Sequence, residues 1–432
     1  MKNKKGSSAV MLAIVFVALT ASIASAIGIS RELAVKSECE TFGRLWTKAV
    51  LSEYDRHLLE DYKIMAYFGN EAEVKKRIDG YMDYSTGGKL GIRIGGSTAE
   101  LSGYQLAEPQ NFKAALKLAY SSSLIDAVLN GNGRAEKDDE PDQDGDFGSR
   151  KVGNPLVTDT LPSGGIRNTI DIDALIEKAK SGGIISGLTE AAGSAAAEVG
   201  FIEAHFGNYV TTPTEKDCYF RNEWEYILTG NLSDEENYES CKRKLFLLRN
   251  AMNLVSIYKD PDRAEIVNAV AAMITPGPLM PATQAVIAEA WAVYETEKDL
   301  ETLYDNGRVP LIKTGDEWQT SLGDIIESDE IKGKLDEESQ ELMNENLTEI
   351  KNIEGINDVK GKIVEGMTYD DYLMAMIMTM NDNVRLLRIM DLVQINMKFR
   401  YYRDFNMQEY YTGVRFTIKA NGRDYEFEDE YR

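Results

Sequence analysis

Residues 10–29 read VMLAIVFVALTASIASAIGI and include no charged side chain. Twenty residues of α-helix rise about 30 Å, which matches the hydrocarbon core of a bilayer. Three lysines lie just before this stretch, and by the positive-inside rule they stay in the cytoplasm. The sequence therefore predicts one membrane-spanning helix, with the C-terminal domain extracellular. The side chains predicted to face lipid are Val10, Met11, Leu12, Ile14, Val15, Phe16, Val17 and Leu19.

Three kinds of processing fit this segment. Ala24 and Ala26 form a small-residue A-x-A site of the kind that ends a secretory signal. Without cleavage the segment would be a permanent anchor. Cleavage between Gly6 and Ser7, as in a type IV prepilin leader, would leave the apolar stretch on the mature chain.

The helical pattern continues beyond the apolar stretch. Val35, Cys39, Phe42 and Trp46 recur at steps of four, three and four, which is typical of one helix face. No proline occurs between residues 30 and 69, and a second series of the same kind follows at Leu51, Tyr54, Leu58, Tyr62 and Met65. Because a cleaved signal is usually followed by a loop, this pattern favours a continuous amphipathic spine helix over residues 30–69.

These residues resemble a known family. The sequence KKGSSAVMLAIVFVAL at 4–19, followed by LSEYDRHLLEDYKIMAYFG at 51–69, is similar to the TadE/TadG-like pseudopilins of tight-adherence (type IVb, Flp) pilus systems. The resemblance is closest to a Gram-positive branch known only as a domain of unknown function. Further motifs carry it along the chain: NPL at 154–156, LPSGG at 161–165, FRNEWEYILTGNLSDEENYESCKRKLFLLRNAMNL at 220–254, GMTYDDYLMAMIMTM at 366–380 and RLLRIMDLVQINM at 385–397.

The resemblance implies membrane insertion, processing by a prepilin peptidase and contact with other pilin or pilus-assembly subunits. In pilins the fifth residue after the cleavage site is usually Glu, which pairs with the amino terminus of a neighbouring subunit. Here that position is Met11. The substitution removes a costly carboxylate from lipid, but it also removes a contact that sets filament register. It therefore favours a minor or tip subunit over a major structural pilin.

The rest of the sequence predicts a fold of the α+β class that is rich in helix. KLGIRI (Lys89–Ile94) and TAELSGYQL (Thr98–Leu106) predict a strand pair, and Asn421-Gly422 predicts the turn of a C-terminal hairpin. Thr368–Met397 predicts one helix. The predicted segments are a basic leader and transmembrane segment (1–29), the spine (30–69), an α-rich head with short strands (70–322), a charged insertion of uncertain order (323–365), and a C-terminal helix plus hairpin (366–432).

Composition argues against several functions. The 432 residues include 48 Lys and Arg against 71 Asp and Glu, for a net charge of −23. An acidic surface of this kind repels phosphate backbones, so we expect no nucleic-acid partner. The Gly-Lys pairs at 88–89, 333–334 and 361–362 lack the Ser or Thr that a phosphate-binding loop needs. We expect neither a cofactor nor enzymatic activity.

One acidic segment could suggest calcium. EKDDEPDQDGD at 136–146 resembles the start of an EF-hand loop if Glu140 is its first position. The twelfth position is then Lys151, where a bidentate Glu is required. A solvated acidic loop is the better interpretation, and we predict no metal site.

Histidines and cysteines are few. His57 lies on an amphipathic helix, and His205 precedes an apparent helix end where its charge would favour the helix dipole. Cys218 and Cys241 are a candidate disulfide, since a bond between them would close a loop and stabilise the folded state by about 3 kcal/mol. Cys39 is predicted to belong to the core.

These observations predict a membrane-anchored minor pseudopilin, or a pilus-assembly or tip component, that acts by subunit assembly and surface attachment. The alternative is a secreted or membrane-anchored extracellular binding module, adhesin-like and unrelated to pili.

Overall fold

The computed structural model describes residues 5–86, 92–130, 155–167, 170–184, 195–211, 218–363 and 365–431. Internal contacts divide the chain into two compact units. The sheet unit comprises residues 1–60, 64–111 and 407–432, and the helical unit comprises 61–63 and 112–406. The predicted α-rich α+β class is confirmed. The boundaries differ from the predicted segments because the C-terminal strands pair with residues near the N-terminus.

The sheet unit combines helices from the N-terminal part of the chain with all the named strands. A three-stranded antiparallel sheet has the order β2-β4-β5, and β1 pairs with β3 in a separate two-stranded sheet. The elements are α1 (Lys5–Leu51), α2 (Arg56–Tyr62), α3 (Glu71–Thr86), β1 (Tyr67–Phe68), β2 (Ile94–Glu100), β3 (Tyr410–Tyr411), β4 (Gly413–Ala420) and β5 (Arg423–Glu430).

The predicted C-terminal hairpin is confirmed. Strands β4 and β5 pair from Gly413–Glu430 to Ala420–Arg423. Asn421 and Gly422 form the turn with φ of 51° and 82°. Positive φ at both central residues is what a type I′ turn requires, and Asn-Gly adopts it at little cost.

The turn predicted at Gly95 and Gly96 is wrong, while residues 89–91 of the predicted first strand lie outside the described residues. Gly95 and Gly96 lie within the single strand β2, where the register with β4 shifts between Ile94 and Gly96. Glycine in a strand often marks such a bulge. The two glycines therefore bend one strand instead of separating two.

The spine helix is shorter than predicted. Helix α1 ends at Leu51, and α2 begins at Arg56. Between them the Asp55 side chain accepts a hydrogen bond from the Leu58 backbone amide, and the Asp55 amide donates to the Ala66 carbonyl. The side-chain bond caps α2, so the second apolar series is divided: Leu51 ends α1, and only Leu58 and Tyr62 lie on α2.

The core of the sheet unit lies between the end of α1, α3 and the sheet. The predicted face of α1 is confirmed here, since Cys39 and Trp46 are buried and Val35 and Phe42 are half-buried. Trp46 and Val50 pack with Phe416 and Ile418 of β4. Gly43 allows α1 to pack closely against β5, because a Cβ at this position would lie 2.2 Å from the Phe427 ring.

The helical unit contains most of the remaining helices. Its main apolar cluster includes Trp291 and Trp318, whose ring centroids are 5.2 Å apart. The remaining helices are α4 (Pro109–Asn130), α5 (Pro155–Thr158), α6 (Ile172–Lys180), α7 (Ala196–His205), α8 (Glu223–Thr229), α9 (Asp234–Lys259), α10 (Pro261–Ile274), α11 (Met280–Tyr304), α12 (Leu322–Ile325), α13 (Asp329–Lys332), α14 (Glu337–Glu345), α15 (Leu347–Lys351), α16 (Tyr369–Met378) and α17 (Asp382–Arg400).

Side-chain caps set several helix ends. Asp260 accepts from the amides of Asp262 and Arg263, and Pro261 occupies the first turn of α10, where its missing N–H costs nothing. Asn381 accepts from the amides of Asn383 and Val384. The single helix predicted over 368–397 is therefore wrong, because this cap begins α17 as a second helix.

Residues 323–365, predicted as an insertion of uncertain order, form short helices in their described part. Ile331, Met343 and Ile350 are fully buried within the main apolar cluster of the helical unit. Each short helix contributes few apolar side chains, which is why the segment appeared charged and poorly apolar in sequence.

Candidate functional site

The N-terminal part of α1 is exposed in the described structure. Every residue from Ala9 to Ala34 is exposed, including Met11 at 71% and Leu12 at 73%. Among the described residues, α1 is the one helix long and apolar enough to cross a membrane. A helix that is apolar on all sides needs an apolar environment, so α1 fits a single-pass anchor. The predicted lipid-facing residues are all exposed: Val10, Met11, Leu12, Ile14, Val15, Phe16, Val17 and Leu19.

The candidate processing residues occupy two places on this helix. Gly6 and Ser7 lie in its first turn, whereas Ala24 and Ala26 lie within its exposed apolar length. Cleavage at the first place would keep the apolar stretch attached to the sheet unit. Cleavage at the second would remove it.

A separate group of polar side chains is fully buried in the helical unit. This charge cluster comprises Arg249, Glu295, Asp299 and Lys313, whose side chains are all 0% exposed. Arg249 donates to Asp299 Oδ2 from Nε at 3.1 Å and from Nη2 at 2.8 Å. The Lys313 ammonium pairs with both Glu295 and Asp299. Two cations therefore compensate two carboxylates.

Pairing controls the ionisation of Asp299. Burial alone would raise the pKa of this carboxyl, but the charges of Arg249 and Lys313 and their hydrogen bonds outweigh it. The pKa of Asp299 is consequently below its ordinary value, and the group stays ionised. The cluster holds its members in one geometry and offers no unpaired acid or base.

A second group, here called the carboxyl cluster, centres on Glu223 and Glu225 of α8, which are both 0% exposed. Glu223 accepts from the Gly207 amide at 2.9 Å and from Asn396 Nδ2 at 2.7 Å. Glu225 accepts from the Tyr209 amide at 3.0 Å and from the Tyr369 hydroxyl at 2.7 Å. These hydrogen-bond donors are all neutral, unlike the cations of the charge cluster, although the charge of Arg400 also acts to lower the pKa of Glu223.

Burial dominates in the carboxyl cluster. It raises the pKa of both Glu223 and Glu225 to about 7, although their hydrogen bonds act in the opposite direction. A carboxyl with a pKa near 7 has the ionisation that general acid–base catalysis uses. Both groups are sealed from solvent, however, so substrate could reach them only after α8 opened.

The structure does not join the candidate disulfide pair, since Cys218 and Cys241 are both free cysteines. Burial raises the pKa of the Cys218 thiol, and the nearby charge of Glu223 raises it further. For Cys241 the causes are burial and the nearby charge of Glu225. The two thiols therefore lie beside different carboxyls of α8. Cys39 is buried on α1, as predicted.

The histidines occupy structural positions. His205 is the last residue of α7, as its sequence context indicated, and its ring lies 4.5 Å from Phe201 and 5.4 Å from Tyr62. His57 is half-buried on α2. The acidic segment 136–146 lies outside the described residues. In the part of the chain that the structure describes, no group of three or more His, Cys, Asp or Glu side chains could hold a metal ion.

The comparison with known families places the chain. The model of a family of unknown function, DUF5702, matches residues 166–422. The chain belongs to this family. The DUF5702 match includes both buried clusters and strand β4, and it leaves out α1. No curated protein and no solved structure matches the chain.

Neither buried cluster was identified from the sequence. Arg249, Asp299 and Lys313 come from distant positions on α9, α11 and the following loop, so no local pattern joins them. The carboxyl cluster had a weak signal, because Glu223 and Glu225 flank Trp224 in a short stretch whose residues are all buried. Without the fold, two acids in such a stretch suggest a solvated face.

Proposed function

We propose that this DUF5702 protein is a membrane-anchored minor pseudopilin, or an assembly or tip component of a tight-adherence-type pilus. One observation carries the proposal. Helix α1 is 47 residues long; its apolar part is exposed from Ala9 to Ala34, while its last part lies in the core of the sheet unit. One continuous helix would thus link the bilayer to a folded extracellular domain.

Assembly would use the exposed part of α1. In lipid, helices associate through close packing and not through the hydrophobic effect. Small side chains permit this approach, and the apolar stretch contains Ala18, Ala21, Ser22 and Ala26. Contacts between this face and other pilin subunits would place the protein in a filament or at its assembly site. The protein would act by attachment, without substrate turnover.

The test is the N-terminal residue of the mature protein, measured by terminal-peptide sequencing and intact mass in membrane and secreted fractions. We expect a chain that begins at Ser7, is found in the membrane fraction and is produced only when a prepilin peptidase is present. Gly6→Leu should block this cleavage. Ala26→Leu is the matched control and should leave the Ser7 terminus unchanged.

Other termini would contradict the proposal. A chain that begins at residue 27 would be a secreted protein without its apolar helix. An intact N-terminus that is insensitive to the peptidase would support an anchored binding module outside any pilus. Deletion of residues 10–29 should move the protein out of the membrane fraction, and retention there would refute the anchor itself.

A further inference from the structure

A groove of about 760 Å³ opens in the sheet unit where α1 meets the tip of the β4–β5 hairpin. Its walls come from residues 28–35 of α1, residues 93–95 at the start of β2, and residues 419–423 at the hairpin turn. All three segments belong to the same compact unit. The groove is therefore a feature of one folded body.

The groove is basic in a strongly acidic protein. It contains Arg31, Arg93, Lys419 and Arg423 against the single acid Glu32, which pairs with Arg423. Arg31, Arg93 and Lys419 are exposed and form no ion pair with any residue that the structure describes. The chain as a whole carries −23, so this local excess of three positive charges opposes the field of the rest of the molecule.

The hairpin tip is fixed to the start of β2. The Arg93 amide donates to the Asn421 side-chain oxygen at 2.9 Å, and the Asn421 amide donates to the Arg93 carbonyl at 2.9 Å. This pair of bonds holds Arg93 beside the turn that carries Lys419 and Arg423. Arg93, Lys419 and Arg423 thus start from hydrogen-bonded neighbouring segments, and Arg31 faces the same groove from α1.

The position along α1 identifies the partner. The uncharged stretch ends at Ile29, and the groove extends from Gly28 to Val35, a rise of about 10 Å. The polar headgroup layer adds roughly 5–8 Å on each side of the hydrocarbon core. If the apolar stretch spans the bilayer, the groove lies at the depth of the lipid headgroups.

We propose that this groove binds the phosphate groups of anionic phospholipids in the leaflet where α1 leaves the bilayer. The inference rests on the membrane anchor proposed above and is independent of any pilus. Arginine forks match phosphate oxygens in a bidentate geometry. Such contacts fix the depth of α1 and hold the hairpin tip against the membrane surface.

The test is hydrogen–deuterium exchange on the full chain reconstituted in nanodiscs of phosphatidylcholine alone or with 30% phosphatidylglycerol. We expect exchange in residues 419–425 to slow by about fivefold or more with phosphatidylglycerol, since the attraction of each basic side chain to an anionic surface strengthens binding by roughly fivefold and bound headgroups would cover these amides. Salt at 0.5 M should abolish the difference by screening. The triple variant Arg31→Gln, Arg93→Gln, Lys419→Gln should also abolish it.

A matched control removes three positive charges elsewhere. Lys76, Lys117 and Lys259 are exposed and form no ion pair among the described residues, so their triple substitution by Gln should keep the lipid-dependent protection. A control triple that loses protection equally would reduce the effect to net charge and refute the groove.

Other outcomes would show whether slower exchange comes from lipid, from free phosphate or from contact between copies of the protein. Equal exchange in both nanodiscs would refute the headgroup site while leaving the anchor intact, whereas failure to co-purify with nanodiscs would refute the anchor as well. Protection by 10 mM inorganic phosphate in phosphatidylcholine nanodiscs would indicate a free-phosphate site. Protection that depends on protein concentration and not on lipid would indicate contact between copies. Either result would overturn the proposal.

Discussion

The charge cluster and the carboxyl cluster lie in the same helical unit, and their key side chains are equally buried. In the charge cluster, Asp299 meets Arg249 and Lys313, and its pKa falls below the ordinary value. In the carboxyl cluster, Glu225 meets an amide and a hydroxyl, and its pKa rises to about 7. Burial was therefore not decisive by itself. The charge of the partners determined which carboxyl stays ionised.

The difference has consequences for stability. A compensated group of buried charges is strongly destabilised when one member is removed, because another charge is then left alone in a low dielectric. A buried carboxyl that is held by neutral donors can instead gain a proton. Loss of one member and change of pH should therefore affect the two clusters differently.

The largest effect is expected from Asp299→Leu. This substitution leaves Arg249 and Lys313 with Glu295 as the remaining carboxylate of the cluster, and it should lower the free energy of unfolding by about 3–5 kcal/mol. Urea denaturation measures the change. Asp316→Leu is the control, since its partner Lys360 is on the surface and much less stability should be lost. Equal losses in the two variants would contradict the distinction between buried and exposed pairs.

The second-largest expected effect is a pH dependence of the free energy of unfolding that comes from the ionisation of Glu225. Its pKa is about 7 in the folded protein against 4.5 ordinarily, so the folded state binds the proton more tightly. The contribution of this group to the free energy of unfolding is therefore largest below about pH 4.5. It is lost as the pH rises through 7, a change of about 3 kcal/mol.

Glu225→Gln stays neutral at every pH and should become more stable relative to the wild type by that amount between pH 4.5 and 8. Denaturation at several pH values gives the difference. Glu239→Gln removes an exposed carboxyl of the neighbouring helix α9 and should follow the wild-type profile. A parallel profile for Glu225→Gln would show that Glu225 is already ionised when folded.

A smaller effect is expected from Tyr369→Phe. It removes the hydroxyl that donates to Glu225 Oε1, which should cost about 1–2 kcal/mol. This hydrogen bond lowers the pKa of Glu225, so its loss should also move the titration to higher pH. Tyr294→Phe removes a comparable hydroxyl bonded to the surface residue Glu330 and should leave the titration in place.

The smallest effect concerns reactivity and not stability. Burial and the neighbouring Glu225 raise the pKa of the Cys241 thiol, so it should resist alkylation at pH 8 while the protein is folded. In denaturant without reductant, three thiols should react with Ellman's reagent. A count of one would show that Cys218 and Cys241 had formed the disulfide that the structure lacks.

Local patterns predicted much of the sheet unit. The face that begins with Val35 and Cys39 and the Asn421-Gly422 turn were both predicted, because helical periodicity and type I′ turns depend on a few neighbouring residues. The end of α1 at Leu51 was missed, because the break that follows it also depends on the bond from the Asp55 amide to the Ala66 carbonyl, which the local pattern does not show. Gly95 and Gly96 were misassigned because only pairing with β4 distinguishes a bulge from a turn.

The sequence by itself determined that residues 10–29 form an apolar helix of membrane length, because hydropathy and helix rise are properties of the local chain. Only the tertiary structure decided which charges are buried together. It brought Lys313 to Asp299, and it brought Arg93 beside Lys419 across more than 300 residues. Electrostatic energy depends on distances in space, and a linear sequence does not contain them.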